Sequence, residues 1–391
     1  MSQQPINLSP DLRKLQDDGY EIAIKCGHLV LFDVPYVNAQ KLVKRGAVVS
    51  TLELVNDVTV KPSDHKVMFT GEHPCDRNGR EMGNLKHGNS RQEICEGLII
   101  ERSFSCKPKE GYQDYYHKMT TYAEMISIQA KSIEPGATAR TYAVIESGDP
   151  DEVFKYIDTA SSRAGINVAT KKLELSKIGI IGLGGTGSYI LDMVAKTPVQ
   201  EIHVFDKDDF LQHNAFRSPG AATPEELKAH LKKVAYFAAR YSTMRNGIIA
   251  HDAHLDETNL TLLDGMDFVF ICIDSGKPKP PIIQRLEADG IPFIDVGMGI
   301  ELVDDKLLGI LRTTASTQEM RDHFKKRVPL SDGSANDVYT KNIQVAELNA
   351  LNASMAVIKW KKIFGFYVDL ENEHSSNYTL DGNIISNIDK T

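Results

Sequence analysis

The stretch KIGIIGLGGTGSYI, Lys177 to Ile190, is an apolar run that breaks into glycines and then resumes as a helix-compatible segment. Gly182, Gly184 and Gly187 satisfy G-x-G-x-x-G between a strand and a helix. The first glycine permits a tight turn, the second lets backbone approach a phosphate, and the third brings helix against sheet. The helix start supplies free N–H donors. Such a loop holds a nucleotide, and the glycines alone serve NAD and ATP equally.

Working outward, strands and helices alternate. KIGIIG, EIHVFD, MDFVFICID and IPFIDVGMG read as strands; SYILDMVAKT, PEELKAHLKKVAYFAARY and KPPIIQRLEADG read as helices. That order predicts an α/β fold, a Rossmann-like doubly wound and mainly parallel sheet. NIQVAELNALNASMAVIKWKKIFG is a long amphipathic helix suited to packing.

Toward the N-terminus the texture changes over 134–150, a stretch rich in Gly, Pro and small polar residues. We place a domain boundary there, with an N-terminal α+β domain over 1–145 and the nucleotide-binding domain over 146–391. In the first, YEIAIKCGHLVLF, GAVVSTLEL and KVMFTG are strands and DYYHKMTTYAEMISIQAKSI is a helix.

Composition narrows the function classes. A chain of 391 residues with a formal net charge of −8 does not suit a nucleic-acid binder relying on bulk positive charge. No run approaches the roughly 18 apolar residues of a membrane span, and MSQQPINLSPDLRK has no signal-peptide core. A cytoplasmic protein is expected. Five cysteines, with no CxxC pair, suit neither a disulfide scaffold nor a four-thiolate zinc site.

The segment FDKDDFLQHNAFRSPG decides between nucleotides. It places Asp206, Asp208, Asn214 and Arg217 within twelve residues, and Lys233 follows on a helix. Asp274 closes the FICID strand at the carboxyl edge, where open α/β sheets bind ligands. A redox site needs an apolar nicotinamide slot here. Cations and a carboxylate converging on a triphosphate are a different chemistry: Arg and Lys offset phosphate charge, and an acid holds Mg²⁺. Taken singly, Asp274 could instead cap the next helix, and Lys232 competes with Lys233.

This pattern, G-x-G-G-x-G, then D-x-D…N-x-x-R, then K, then a strand ending C-I-D, resembles that of the ThiF/MoeB and ubiquitin-activating enzyme superfamily over residues 155–365. The resemblance implies ATP- and Mg²⁺-dependent adenylation of the C-terminal glycine of a ubiquitin-like protein, by a homodimer. It also implies roles for individual residues. Gly182, Gly184, Gly185 and Gly187 would cradle ATP, Asp206 would bind ribose supported by Asp208, and Asn214, Arg217 and Lys233 would contact phosphates. Asp274 would coordinate the metal, and Arg163 would reach a neighbouring subunit's site. The N-terminal domain resembles one fused to some bacterial ThiF-family proteins, which implies partner binding beside a conjugating-enzyme-like protein.

One departure matters. Relatives often transfer the acyl group to a cysteine after the Asp274 strand, and from 273 onward this chain has none. Three routes stay open: direct hand-off of the acyl-adenylate, an oxyester on Ser331 or Ser334 with Asp332 or His323 as base, or a thioester on Cys75, expected on an exposed loop. The alternative functions are sulfur-carrier adenylation for thiamine or molybdopterin synthesis, an NAD-dependent oxidoreductase, and an inactive scaffold.

Overall fold

A computed structural model describes residues 4–83, 86–88, 91–147, 152–330 and 343–387. The chain divides into two compact units: 1–148 with 157–165, and 149–156 with 166–391.

In the first unit the strands β1 (Ile22–Lys25), β2 (His28–Val37), β3 (Val43–Thr51), β4 (Lys66–Thr70), β5 (Lys86–Gly88) and β6 (Arg102–Ser105) form one antiparallel sheet. Its order is β1-β2-β3-β4-β6-β5. The two longest helices described in this unit are α1 (Pro10–Asp17) and α2 (Tyr115–Ile133). Asp114 caps α2 by accepting the His117 N–H at 2.7 Å. The helix sets Tyr115, Met119, Tyr122 and Ile126, spaced by three and four, against Leu29, Leu31, Val48 and Phe104 in one core.

The second unit is built on β7 (Lys177–Ile181), β8 (Glu201–Phe205), β9 (Ile248–His251), β10 (Phe268–Ile271), β11 (Phe293–Val303), β12 (Lys306–Ser316), β13 (Ser375–Thr379) and β14 (Ile384–Asn387). The order is β9-β8-β7-β10-β11-β12-β13-β14. The five strands β7 to β11 run parallel and the rest antiparallel. Separate apolar clusters cover the two faces, Ile178, Ile180 and Phe270 in one, Ile181, Val269 and Ile271 in the other. Burial on both faces explains why these strands read as unbroken apolar runs. The order reverses between β7 and β10, which opens a crevice at their carboxyl ends.

Two details depart from expectation. The helix over PEELKAHLKKVAYFAARY is broken into Pro224–Lys228 and α3 (Lys233–Tyr241). Between them the chain extends to pair with the segment after β8: Phe210 N–H donates to Leu231 O and Lys233 N–H to Asp208 O. The sheet also continues past the IPFIDVGMG strand into an antiparallel extension. Asp304 and Asp305, both at positive φ, form the two-residue turn between β11 and β12. Among the described residues no helix is long and apolar enough to cross a membrane.

Lys118 on α2 is fully buried, donating to Ser50 Oγ at 2.8 Å and Asp64 O at 2.7 Å. Burial lowers its pKa from 10.5 to about 8. A depressed lysine pKa means that charging the amine opposes folding, so the penalty is full below pH 8 and fades toward 10.5. Thermal melts of wild type and Lys118→Met should therefore show the wild type gaining on the variant as pH rises through that window. A difference that stays constant from pH 7 to 10 would refute this.

Candidate active site

β7 ends at Ile181, and Gly182 turns the chain at φ +90° into α4 (Gly185–Val194). A Cβ on Gly182 would sit 2.8 Å from Cys272 O, and one on Gly187 would collide with the Gly182 carbonyl. Both positions therefore need glycine, the first for its dihedral and the second for close approach. A side chain on Gly185 would strike the amide of Asn349, on the long helix α5 (Ala346–Ile363). Asn349 Oδ1 also accepts the Thr186 hydroxyl at 2.9 Å. The glycine loop is thus clamped between the β10 end and the C-terminal helix.

Asp206, at the end of β8, anchors the loop from the other side. Its Oδ2 accepts the Leu183 N–H at 2.8 Å and its Oδ1 the Asp208 N–H at 2.9 Å. The buried Lys233 ammonium lies 2.8 Å from Asp208 Oδ2 and 3.6 Å from Asp206 Oδ2. That hydrogen bond is the main cause lowering the Asp208 pKa. Lys232 instead pairs with Asp209 at 2.9 Å on the surface. The break in the helix makes the difference, since it puts Lys233 at the start of α3 with its amine turned inward.

These residues line a cavity of about 370 Å³, with Gly182, Gly184, Asp206, Asp208, Arg217 and Lys233 in its wall and Asp274 at the β10 edge. Arg217 Nε is buried and has no hydrogen-bond partner among the described residues, which fits a donor meant for a ligand oxygen. Asn214 has another task. It is buried in the single turn Gln212–Ala215, where Oδ1 accepts the Leu211 N–H at 2.9 Å and its carbonyl accepts the Arg217 N–H at 3.1 Å. It shapes the turn that carries Arg217 and does not line the cavity.

A second cavity of about 310 Å³ adjoins the first. Gly184, Cys272, Ile273, Asp274 and Gln344 line both cavities. The rest of the second includes Gly185, Gly297, Gly299, Lys279 and Arg312. Burial raises the Cys272 thiol well above its ordinary range, so it stays protonated.

The other expected residues fall elsewhere. Arg163 belongs to the first unit, on the short helix Thr159–Ala164, with Nε 3.9 Å from Asp17 Oδ1 in an exposed pair. Cys75, expected on an exposed loop, is 1% exposed. It bridges Val37 and Glu81, and its thiol donates to His73 O at 3.3 Å. Burial raises its pKa, which disfavours the thiolate. Ser331, Ser334 and Asp332 lie outside the described residues. His323 precedes a short 3₁₀ turn at Phe324–Lys326.

The sequence reading missed Lys279, Asp295 and Arg312. The signal was present: two acids, Asp304-Asp305, between apolar runs mark a hairpin that brings Arg312 back along β11. Among the described residues no three His, Cys, Asp or Glu side chains form a metal cluster.

Comparison with known proteins follows this division. Residues 138–329 match the ThiF family, and residues 10–159 match a domain of unknown function (DUF6791). No curated protein matches the sequence. Similar solved structures include PaaA, at 16% identity over 56% of this chain and 74% of that one, with a TM-score of 0.44. E. coli MccB with MccA-N7isoASN is similar at 16% identity over 58% and 68%, TM-score 0.43. E. coli tRNA N6-threonylcarbamoyladenosine dehydratase, TcdA, with AMP, matches at 19% over 52% and 92%, TM-score 0.39.

The two neighbouring lysines should separate cleanly. Lys233→Met removes the buried ammonium shared by Asp206 and Asp208 and should cost about 3 kcal/mol of stability. Lys232→Met removes only a surface pair and should cost well under about 1 kcal/mol. Urea unfolding of both variants checks this, and equal losses would overturn the assignment.

Proposed function

Residues 138–329 are a ThiF family domain, and from that premise we propose that the protein adenylates a carboxylate, binding ATP in the larger cavity and the acyl substrate in the smaller. The supporting observation is the common wall at Gly184, Cys272 and Asp274. A nucleotide on one side and a carboxylate on the other would meet there. One carboxylate oxygen bonds to the α-phosphorus while the bond to pyrophosphate breaks, leaving an acyl-adenylate and free pyrophosphate.

The chain's residues divide this work by charge. Helix α4 offers its first N–H groups to phosphate oxygens. Arg217 and Lys233 offset the charge building on the leaving pyrophosphate. Asp206, already accepting two backbone N–H groups, retains lone pairs for ribose hydroxyls. Asp274 would hold Mg²⁺, which when bound neutralises phosphate charge. The finer reading takes the substrate to be the glycine-terminated tail of a ubiquitin-like protein, activated for conjugation with a conjugating-enzyme-like partner. In it the enzyme is a homodimer to which Arg163 contributes across subunits, and the N-terminal domain binds a partner protein.

Pyrophosphate exchange into ATP, driven by small β-grasp proteins ending in glycine, tests the reading. Arg217→Ala and Asp274→Asn should each slow exchange by about 100-fold. Absence of exchange with every carrier tried, or reduction of NAD in its place, would discard it.

A further inference from the structure

Two thiols of the first unit meet at the end of its sheet. The turn between β1 and β2 consists of Cys26 and Gly27, since Lys25 pairs with His28. Both turn residues take positive φ, 49° and 74°. Two-residue turns of this kind favour Asn, Asp or Gly at the first position, where other side chains are strained. Cysteine is a costly choice for the turn, and its use lies in the thiol. Cys26 is exposed and its backbone is held in place. Its carbonyl lies 2.8 Å from His28 Nδ1, and the Gly27 carbonyl accepts the Leu52 N–H at 3.0 Å.

The second thiol arrives through a different irregularity. A short hairpin, Gln92–Cys95 with Leu98–Ile100, lies on the sheet face formed by Val30, Ala47 and Val49. Successive residues of a regular strand point to opposite faces. Here the register shifts between Glu93 and Cys95, leaving Ile94 as the extra residue, and both Ile94 and Cys95 pack against that one cluster. The bulge re-aims Cys95 toward the sheet. Its side chain hydrogen-bonds that of Cys26, and this contact together with burial raises the Cys95 pKa. Lys25, whose ammonium lies over the Phe32 ring at 5.3 Å from its centroid, acts on Cys95 from the same face in the opposite sense. A cation beside two touching thiols stabilises whichever thiolate forms. The other three cysteines lie elsewhere: Cys75 donates to the His73 carbonyl, Cys106 packs on the α2 side of the sheet, and Cys272 belongs to the second unit.

We propose that Cys26 and Cys95 are a reversible oxidation site, joined into a disulfide by hydrogen peroxide, that staples the 92–100 hairpin to the β1–β2 turn. The Cys26 thiolate attacks peroxide: an S–O bond forms, the O–O bond breaks, and the departing hydroxide takes the Cys95 proton as water. The Cys95 thiolate then attacks the Cys26 sulfur, forming S–S and breaking S–O. The hydroxide released leaves as water with the proton that Cys26 gave up. Two thiols and one peroxide thus become one disulfide and two waters, with both sulfurs oxidised and the peroxide oxygens reduced. A dithiol reductant reverses the change.

Treatment of the full chain with hydrogen peroxide, blocking of the remaining thiols and digestion without reduction test this. Mass spectrometry should find one linked peptide pair, Cys26 with Cys95, that dithiothreitol separates. In Cys95→Ser the reaction should stop at the Cys26 sulfenic acid, which dimedone traps. Wild type should lose that adduct, and Cys26→Ser should show none on Cys95. Hydrogen exchange of the hairpin amides should slow several-fold on oxidation, while that of the second unit stays unchanged. The proposal fails if peroxide carries Cys26 to the sulfonic acid without a bridge, or if the bridge joins two molecules or another cysteine. It fails if dimedone marks wild type as heavily as Cys95→Ser, or marks Cys95 in Cys26→Ser. Faster exchange in the hairpin would also overturn it, since the bridge would then distort the contact it is meant to lock. Should Cys95→Ser not fold, the wild-type peptide pair and the exposed-turn variant Cys26→Ser still decide.

Discussion

The contact between Gly187 and the Gly182 carbonyl is the constraint on which the second unit's active face depends. With no room for a Cβ, α4 is drawn onto the end of β7, and its first turn stands over the crevice where the strand order reverses. Asn349 presses on Gly185 from the opposite side. The loop therefore becomes a thin stretch of backbone where the two cavities adjoin. Any side chain bulky enough to thicken it would close one cavity or the other. This is the geometry that adenylation needs, since a nucleotide and an acyl group must meet without either blocking the other's approach.

Two acids, Asp206 and the fully buried Asp295, organise the charge around the loop in opposite ways. Asp206 spends its oxygens on backbone N–H groups and fixes the chain, with Lys233 offsetting its charge. Asp295 spends its oxygens on two cations and fixes their side chains. The first arrangement makes a rigid loop with Lys233 and Arg217 in the cavity wall beside it. The second makes a rigid cationic pair. Preorganisation of this kind means that little has to move when a charged ligand arrives.

Much of this face was legible in the residues. The parallel strands read as apolar runs because they are buried on both sides, and the glycines and Asp206 announced the loop. Arg217, after a single helical turn, Lys233, at the start of α3, and Asp274, just past β10, line one cavity although they come from three separate segments. Asn214 shapes the turn that carries Arg217, and a turn-forming amide and a ligand-binding one look alike in sequence. Cys75 was misjudged because its Gly- and Pro-flanked loop resembles an exposed turn, yet its β-bridges to Val37 and Glu81 bury it. The broken helix before α3 was illegible too, since the residues of 229–232 are compatible with helix and only their tertiary pairing pulls them out. Asp295 escaped notice because one acid in an apolar strand gives no hint of the two cations that reach it from distant segments.

The Asp304–Asp305 turn acts as a ruler. From it, the hairpin counts out six further pairs before Gly297 meets Arg312. Side chains alternate between faces along a strand, so a single residue gained or lost at the turn would swing the guanidinium to the far side of the sheet. Relatives that differ by one residue there would keep the same strands and the same core yet present a cavity with one cation fewer. Length at this distant corner, rather than any substitution within the pocket, is then the economical place for selectivity to change.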